Sequence, residues 1–500
     1  MKNRVQLIAY VDRLSGGGGL REFQQLLDGP LSGLFSGVHL LPFFSPIDGA
    51  DAGFDPIDHS AVDPRLGSWD DVRAIGKQTD IMADLIVNHV SVGSPQFVDF
   101  QKRGDESPYA GMFLTCGRVF PSGARESDLL RIYRPRPGLP FTKMRIGDGT
   151  ERLLWTTFTA EQVDIDVRDS EARRYLENIL DRFRDAGIRT IRLDAAGYAI
   201  KKPGTSCFMI PETFAFIGEL TELARTRGIE ALVEIHSHYL EQIEIAKRVD
   251  WVYDFALPPL VLHALYTGDA HRLKHWLGIS PRNAVTVLDT HDGIGVIDAG
   301  PDKTGPGGAP GLLTAEEIDD MVETIHARSV GQSRQATGAA ASNLDLYQVN
   351  CTYYDALGRR DNEYLIARAL QFFAPGVPQV YYTGLLASTN DMDLLRRTGV
   401  GRDINRHYYT RAEVEERLAT PVVRSLLELI RFRNSHPAFA GTFHLLPCGD
   451  NAIHIEWRHR ECRARLEVDL ATASAVITCF PRPEGVRPAI APNVSIEVSP

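Results

Sequence analysis

The stretch NAVTVLDTHDGIG, residues 283–295, contains an apolar run that changes abruptly into two acids and a histidine. Its first half is rich in β-branched residues and is typical of a buried strand. The Asp-Gly step alone would fit a simple turn, because Asp bonds its own backbone and Gly tolerates positive φ. Parallel strands of barrel enzymes, however, display polar side chains at their carboxyl ends, where the active site lies. This second interpretation requires other strands of the chain to end in the same way.

Short β-rich runs alternate with helical patterns such as 170–186, 212–228 and 239–249 along most of the chain. Such alternation is the sequence form of repeated βαβ units, and eight units that close on themselves predict an α/β fold, the (β/α)8 TIM-type barrel. The eight runs are residues 5–11, 36–44, 80–89, 188–196, 230–236, 251–257, 284–292 and 378–384.

Two intervals, 90–187 and 293–377, are too long for one βα unit, so each is expected to carry an insertion at the catalytic face of the barrel. Beyond about residue 438 the pattern alternates without helices, which predicts a small C-terminal antiparallel β domain. The expected division is a barrel of residues 1–88, 168–293 and 359–437, insertions of 89–167 and 294–358, and a β domain of 438–500.

The composition excludes several classes of partner. A net charge of −11 argues against nucleic acid and anionic membrane surfaces, which select clustered Lys and Arg. The six cysteines lack metal-type spacing, so they are expected to be reduced thiols in a cytoplasmic protein. No run approaches the roughly 18 apolar residues of a membrane span. Small-molecule substrates are the expected partners, with no metal or organic cofactor, and a homodimer is left open.

Three predicted strands end in an acid, as the catalytic interpretation of the opening stretch requires. The fourth, fifth and seventh strands end in Asp194, Glu234 and Asp292. Arg192 lies two residues before Asp194, on the same face of the strand, where its charge favours the ionised acid. Any one of these acids could be a strand cap or half of an ion pair. Three at the ends of strands in one barrel indicate a catalytic site.

Cleavage of a glycosidic bond with retention of the anomeric configuration requires more than one carboxyl group. The reaction uses a carboxylate nucleophile and a protonated carboxyl that assists the leaving group, and a third acid can stabilise the cationic transition state. Asp194, beside its arginine, is the predicted nucleophile. Glu234 lies among Val233 and Ile235, which would keep it protonated as the acid. Asp292 is the predicted stabiliser.

The ordered segments that carry these acids resemble the signature segments of the α-amylase superfamily of glycoside hydrolases. The resemblance implies a barrel with insertions after the third and seventh strands, and it assigns the same three roles. It further implies that His89 and His291 bind glucosyl hydroxyls. Relatives in the superfamily often bind calcium, but the sequence shows no dense cluster of Asp and Asn that would indicate a calcium site. The segments are ADLIVNH (83–89), GIRTIRLDAAGY (187–198), LVEIHS (232–237) and VLDTHD (287–292), together with GVHLLPFF and GVPQVYY.

A narrower set of motifs is similar to the branch of the superfamily that transfers a glucosyl unit from sucrose to phosphate. The motifs are DGADAGFDPIDH (48–59), YRPRPGLPF (133–141), QVDID (162–166), PGTSCFM (203–209), ASNLDLYQVN (341–350) and GRDINRHYY (401–409).

This narrower resemblance implies a set of substrate-binding residues. Asp51 and Arg402 would grip the far side of the glucosyl ring and block longer glucans, and Phe54 would stack on the sugar. Arg136 would contact phosphate, with Tyr347 on the facing loop as a hydroxyl donor. The full implied set is Asp51, Phe54, His89, Arg136, Phe158, Gln162, Arg192, Tyr198, Ile235, His291, Leu344, Asp345, Tyr347, Gln348 and Arg402.

The expected activity is a double displacement in which sucrose forms a covalent glucosyl-enzyme and phosphate releases α-glucose 1-phosphate. Several alternatives stay open at this point. Phosphorylases of sucrose 6-phosphate, glucosylglycerol or glucosylglycerate would share the same acids and the phosphate step. An α-glucosidase-type or trehalose-type hydrolase would share the acids and differ in the acceptor. A non-catalytic barrel would be marked by the loss of a carboxylate, and none of the three is lost.

Overall fold

The computed structural model describes residues 1–49, 51–135, 138–147, 149–302, 308–337, 348–481, 489–491 and 494–498. Four of the implied binding residues, Arg136, Leu344, Asp345 and Tyr347, lie outside these ranges. Within the ranges, no helix combines the length and the apolar character needed to span a lipid bilayer.

Eight parallel strands close into a barrel in which each strand pairs with its neighbours in chain order and the last pairs with the first. Each of the eight runs predicted from the sequence coincides with one strand, so the TIM-type barrel is confirmed. The observed strands are shorter than predicted. They are β1 (Gln6–Ala9), β2 (Gly37–Leu40), β3 (Asp80–Ile86), β4 (Thr190–Asp194), β5 (Glu230–Val233), β6 (Trp251–Asp254), β7 (Ala284–Thr286) and β8 (Val377–Tyr381).

Amphipathic helices surround the barrel. The helix Ser170–Asp185 begins after Asp169, whose side chain accepts a hydrogen bond from the backbone N–H two residues on, and it buries Leu176, Ile179 and Phe183 on one face. The other helices of the outer layer are Leu20–Asp28, Trp69–Gly76, Pro211–Arg225, Tyr239–Ala246, Leu257–Thr267, His271–Ile279, Asp361–Phe373 and Pro421–Ser435.

The segment between β3 and the helix Ser170–Asp185 carries the first insertion. It contains an antiparallel pair of strands, a hairpin and several short helices. The pair is His89–Ser91 with Gln162–Asp164, the hairpin is Phe141–Ile146 with Thr150–Trp155, and the helices are Pro95–Arg103, Gly104–Glu106, Cys116–Val119 and Glu126–Arg131.

The segment between β7 and β8 carries the second insertion. Two short strands, Ile294–Gly295 and Gln348–Val349, pair at its base. Its helices are Ala315–Arg328, Gln332–Thr337 and Tyr353–Ala356.

Two shorter excursions were not anticipated from the sequence. After β2, strand Phe44–Ser45 pairs with Asp58–Val62, and the turn between them holds Phe54. After β8, the chain forms the helices Tyr382–Leu385, Met392–Thr398, Gly401–Asn405 and Arg411–Ala419 before it rejoins the outer layer. Both follow a barrel strand, so they lie at the catalytic face and bring Asp51 and Arg402 to it.

The chain ends in a six-stranded sheet whose strands are antiparallel neighbours except at one position. The last strand, Val494–Val498, runs parallel to Ser474–Phe480. The chain first forms the outer strand, Ala489–Ala491, and the last strand then lies between that strand and Ser474–Phe480. The indole N–H of Trp457 donates to the carbonyl of Phe373, which ties the sheet to the barrel helices. The strands are β9 (Thr442–Leu446), β10 (Ala452–His459), β11 (Cys462–Asp469), β12 (Ser474–Phe480), β13 (Ala489–Ala491) and β14 (Val494–Val498).

Candidate active site

A pocket with an empty volume of about 740 Å³ lies at the carboxyl ends of the barrel strands. Most of the residues singled out from the sequence line it: Asp51, Phe54, His89, Phe158, Asp194, Tyr198, Glu234, Ile235, His291, Asp292 and Arg402. The lining also contains residues that the sequence did not single out, namely Pro135, Ala195, Gly197, Phe208 and His236.

A single buried guanidinium, that of Arg192, connects three carboxylates. Its Nη1 lies 3.0 Å from Asp194 Oδ1 and 2.6 Å from Asp84 Oδ1, and its Nη2 lies 2.6 Å from Glu234 Oε1. Arg192 and Asp84 are register partners on β4 and β3, which explains their contact. The sequence-based expectation that Glu234 lies among apolar groups is therefore corrected, because its carboxylate shares the arginine with Asp194.

The shared arginine leaves the two acids short of positive charge. Burial and the Glu234 carboxylate raise the pKa of Asp194 well above its usual range, although Arg192 opposes them. Asp84 stays ionised, because His39 and Arg192 outweigh the effect of burial and lower its pKa to about 2. Burial and the neighbouring carboxylate therefore favour the neutral form of Asp194, and Arg192 favours its ionised form. One anion and one neutral acid is the state that retaining glycosidic cleavage requires.

Asp292 is ionised by a different set of groups. Its Oδ1 lies 2.9 Å from Nη1 of Arg402 and 4.0 Å from Nη2 of Arg406. Burial opposes ionisation, but these charges, led by Arg402, hold the pKa of Asp292 well below its usual range. The same Nη1 of Arg402 lies 3.8 Å from Asp51 Oδ1. The third acid is thus a fixed anion that a single guanidinium links to the far wall of the pocket.

The two histidines implied to bind glucosyl hydroxyls are both buried and neutral. Burial lowers the pKa of His89 and lowers the pKa of His291 well below the usual range. His89 Nε2 lies 3.0 Å from the carbonyl oxygen of Phe54 and from Nε2 of Gln162. The Phe54 ring stacks on His291 at 4.7 Å between centroids, so one face of the ring expected to stack on sugar already packs on a histidine. Neutral imidazoles can both donate to and accept from hydroxyl groups.

Aromatic side chains form the wall near the first insertion. The Phe158 ring lies 5.2 Å from that of Tyr198, which lies 4.7 Å from Phe208. Tyr133 stacks on Phe208 at 4.5 Å and Pro135 lines the pocket, so residues 133–135 of the first insertion reach the site.

The chain turns sharply immediately after Asp194. Ala195 adopts φ 55° and ψ 22°, the left-handed region, which costs a non-glycine residue about 1 kcal/mol. Its N–H donates to Glu234 Oε2 at 3.4 Å. Local strain is typical of functional sites, and here it places a backbone donor between the two acids.

Some implied residues do not line the pocket. Gln162 and Arg192 instead contact residues that line it. Gln162 contacts His89, and Arg192 contacts Asp194 and Glu234. Gln348 is buried in the short strand paired with Ile294–Gly295 and donates to Asn350 Oδ1 at 3.3 Å. His236 is the residue most clearly missed. Its signal was its place in LVEIHS, two residues beyond the fifth-strand acid.

The ligand atoms of Glu234, His236 and Asp292 lie within 4.8 Å of one another, and among the described residues this is the cluster suited in type to a metal ion. The guanidinium groups of Arg192 and Arg402 already contact the two carboxylates, at 2.6 and 2.9 Å. Both carboxylates of the cluster are thus already engaged by guanidinium groups, so the donor set is poorly suited to a metal.

A buried lysine joins the barrel to the first insertion beside His89. Lys201 Nζ lies 2.7 Å from Asp164 Oδ2 and 2.8 Å from Asn88 Oδ1, and it also donates to the carbonyl of Tyr198. Lys201 and Asp164 are both almost fully buried. The ammonium therefore fixes the segment that carries His89 and Gln162.

We expect Lys201→Met to lower the free energy of unfolding by about 3–5 kcal/mol, because it leaves Asp164 buried without its counter-charge. Urea-induced unfolding measures the change. The matched control is Lys202→Met, whose exposed pair with Glu212 contributes at most about 1 kcal/mol. Equal losses of unfolding free energy in the two variants would show that the buried Lys201–Asp164 pair stabilises the fold no more than the exposed pair does.

The chain has close relatives among known proteins. The model of the alpha amylase catalytic domain matches residues 33–244. The sucrose phosphorylase of Agrobacterium vitis is 63% identical over 478 residues, which cover 96% of this chain and 97% of that protein. The sucrose phosphorylase of Bifidobacterium adolescentis is 56% identical over 466 residues, 93% of this chain and 92% of that protein.

A solved structure has the same overall fold. The crystal structure of sucrose 6F-phosphate phosphorylase from Thermoanaerobacter thermosaccharolyticum superposes with a TM-score of 0.88 at 39% identity, and the match covers 97% of both chains. The barrel, the three strand-end acids and this similarity over nearly the whole length lead to one conclusion. The chain belongs to the α-amylase superfamily, in the family that contains the sucrose phosphorylases.

Proposed function

We propose that the chain is an enzyme that transfers the glucosyl unit of sucrose to inorganic phosphate and releases α-glucose 1-phosphate and fructose. The observation that carries the proposal is the arrangement of three carboxyl groups in one pocket, of which two contact Arg192 and the third contacts Arg402. Identities of 63% and 56% to sucrose phosphorylases, against 39% to the sucrose 6F-phosphate enzyme, favour sucrose as the donor.

In the first step, a carboxylate oxygen of Asp194 attacks the anomeric carbon of the glucosyl unit. The bond to the fructose oxygen breaks, and Glu234 donates its proton to that oxygen. The products are fructose and a covalent β-glucosyl ester on Asp194. The anionic Asp292 stabilises the positive charge that develops on the sugar ring in the transition state.

In the second step, phosphate replaces fructose beside Glu234. The Glu234 carboxylate takes a proton from phosphate, and the phosphate oxygen attacks the anomeric carbon. The ester bond to Asp194 breaks and its carboxylate is restored. Two inversions give net retention, so the product is α-glucose 1-phosphate.

The pocket accounts for a small donor. Asp51 and Arg402 close the side opposite the acid–base group, and the arginine is tied to both Asp51 and Asp292. A glucosyl ring seated there leaves no path for further sugar units beyond it. For the acceptor side, we propose that Arg136 and Tyr347 contact phosphate, with Leu344, Asp345 and Gln348 on the facing loop.

Further parts of the proposal concern the chain as a whole. The six cysteines are all free thiols, which supports a cytoplasmic location. We also propose that the enzyme acts on small molecules alone, as a homodimer, and that the division into barrel, two insertions and β domain given by the sequence holds.

The test is to incubate the purified chain with sucrose, with and without inorganic phosphate, and to identify the glucose-containing product. We expect α-glucose 1-phosphate when phosphate is present. Free glucose at the same rate in both conditions would identify a hydrolase. Faster turnover of sucrose 6-phosphate, glucosylglycerol or glucosylglycerate than of sucrose would identify one of the sister phosphorylases.

A further inference from the structure

Asp298 is a fully buried carboxylate of the second insertion that none of the steps above uses. Its Oδ2 lies 3.1 Å from Nδ1 of His236. Its Oδ1 accepts hydrogen bonds from the backbone N–H of Ser237 at 3.2 Å and from Nε2 of Gln242 at 3.0 Å. Both oxygens are therefore engaged, and the carboxylate is held in one orientation against the imidazole.

His236 is the group on which this carboxylate acts. Its ring stacks on Phe255 at 3.9 Å between centroids and 15° between planes, so it cannot rotate freely. With Nδ1 held by Asp298, the other ring nitrogen faces the catalytic acid, and Nε2 lies 3.9 Å from Glu234 Oε1. His236 also lines the pocket, so it borders the space that the leaving group and the acceptor occupy in turn.

The charged groups around His236 favour its protonated form. Asp298 faces it from the second insertion, Glu234 from the end of β5 and Asp292 from the loop after β7. Burial opposes the charge, but these three carboxylates, led by Asp298, raise the pKa of His236 above its usual value. The guanidinium groups of Arg192 and Arg402 contact Glu234 and Asp292, whereas Asp298 contacts His236.

We propose that Asp298 is a positioning residue that fixes the proton and the orientation of His236, and thereby keeps a cationic donor beside Glu234 where the acceptor phosphate arrives. The proposal rests on the proposed function. Phosphate is an anion that must approach a site with three carboxyl groups, and without a local cation their field would repel it. An imidazolium held by a buried carboxylate supplies both charge and direction.

The opening stretch of the sequence provides an independent sign of this contact. A Cβ atom built on Gly295 would lie 2.7 Å from Asp298 Oδ2 and 3.5 Å from His236 Nδ1. The first distance is shorter than van der Waals contact allows, so a larger residue at position 295 would require the Asp298 carboxylate to shift from the position in which it contacts His236. The glycine that ends HDGIG is the one residue that leaves room for the pair.

The test is Asp298→Asn in the full-length enzyme, assayed with sucrose and inorganic phosphate over about pH 5 to 8. An amide cannot hold the imidazole proton as a carboxylate does. We expect the KM for phosphate to rise about tenfold at neutral pH, and the alkaline limb of phosphorolysis to move to lower pH. Product should shift from glucose 1-phosphate toward free glucose, while the pre-steady-state burst from α-glucosyl fluoride stays within about twofold.

Two further variants separate positioning from a structural role. Gly295→Ala should reproduce the higher KM for phosphate and the shifted pH profile, and it carries the test if Asp298→Asn does not fold. Asp254→Asn changes a buried carboxylate that accepts from Trp276 and does not contact His236, so it should leave both unchanged. Unchanged pH profiles in folded Asp298→Asn and Gly295→Ala, or an equal shift in Asp254→Asn, would overturn the proposal. A wild-type chain that forms no glucose 1-phosphate would instead overturn the proposed function.

Discussion

Replacing Asp194 with alanine is expected to lower kcat for sucrose phosphorolysis by at least about a hundredfold, because the variant has no group that can form the glucosyl ester. The other two acids of the catalytic set are each engaged by a guanidinium group. Glu234 Oε1 lies 2.6 Å from Arg192, and Asp292 Oδ1 lies 2.9 Å from Arg402. Initial rates of glucose 1-phosphate formation measure the loss.

A matched control comes from another strand-end acid. Asp254 ends β6 and is as deeply buried, but it accepts hydrogen bonds from Trp276 behind the barrel and does not line the pocket. Burial raises its pKa to about 7, so an amide is a mild replacement. Asp254→Asn should keep most of the activity. A rate in Asp194→Ala above about a hundredth of wild type would remove Asp194 from the role of nucleophile.

The strand-end logic of the opening stretch was sound, but it offered no physical reason to prefer one of the two acids that follow β7. Asp289 and Asp292 both follow β7. The first pairs with Arg368 at 2.6 Å, while the second lines the pocket. β7 ends at Thr286, so the alternation of faces along a strand no longer applies at either residue. Asp292 was chosen from the strand-end pattern, and the resemblance of VLDTHD to known signature segments agreed with that choice.

The electrostatic environment of each acid was the part least accessible from sequence. A neighbour two residues away, such as Arg192 beside Asp194, can be inferred from strand periodicity. Asp84 and Glu234 reach the same guanidinium from β3 and β5, and these contacts depend on the register of the barrel. Asp298 lies 62 residues from His236 along the chain and contacts it from the second insertion. Contacts of this kind become visible only when the strands are placed.

The excursions after β2 and β8 show a similar limit. Segment length alone identified the two large insertions, because each interval exceeds what one βα unit needs. The shorter excursions fall within a plausible loop length, yet they carry Asp51, Phe54 and Arg402 into the pocket. The resemblance implied that these three residues bind the sugar. It did not show that the excursions after β2 and β8 bring them into the pocket.

Glu234→Gln is expected to affect two glucosyl donors differently, because only one of their leaving groups must be protonated. Fructose must be protonated as it departs, so kcat for sucrose should fall by about 10²- to 10⁴-fold. Fluoride leaves without a proton, so formation of the glucosyl-enzyme from α-glucosyl fluoride should be affected far less. The fold should tolerate the change, because Arg192 keeps two carboxylate partners, Asp84 and Asp194.

The same variant tests the effect of the Glu234 charge on Asp194. Burial and the Glu234 carboxylate together raise the pKa of Asp194, and the nucleophile reacts only when it is ionised. Removing the Glu234 charge takes away one of these causes, so the pKa of Asp194 should fall. The acid limb of glucosyl-enzyme formation from α-glucosyl fluoride should therefore move to lower pH than in wild type. Equal losses on both donors would show that Glu234 is not the acid, and an unmoved acid limb would show that the Glu234 charge does not raise the pKa of Asp194.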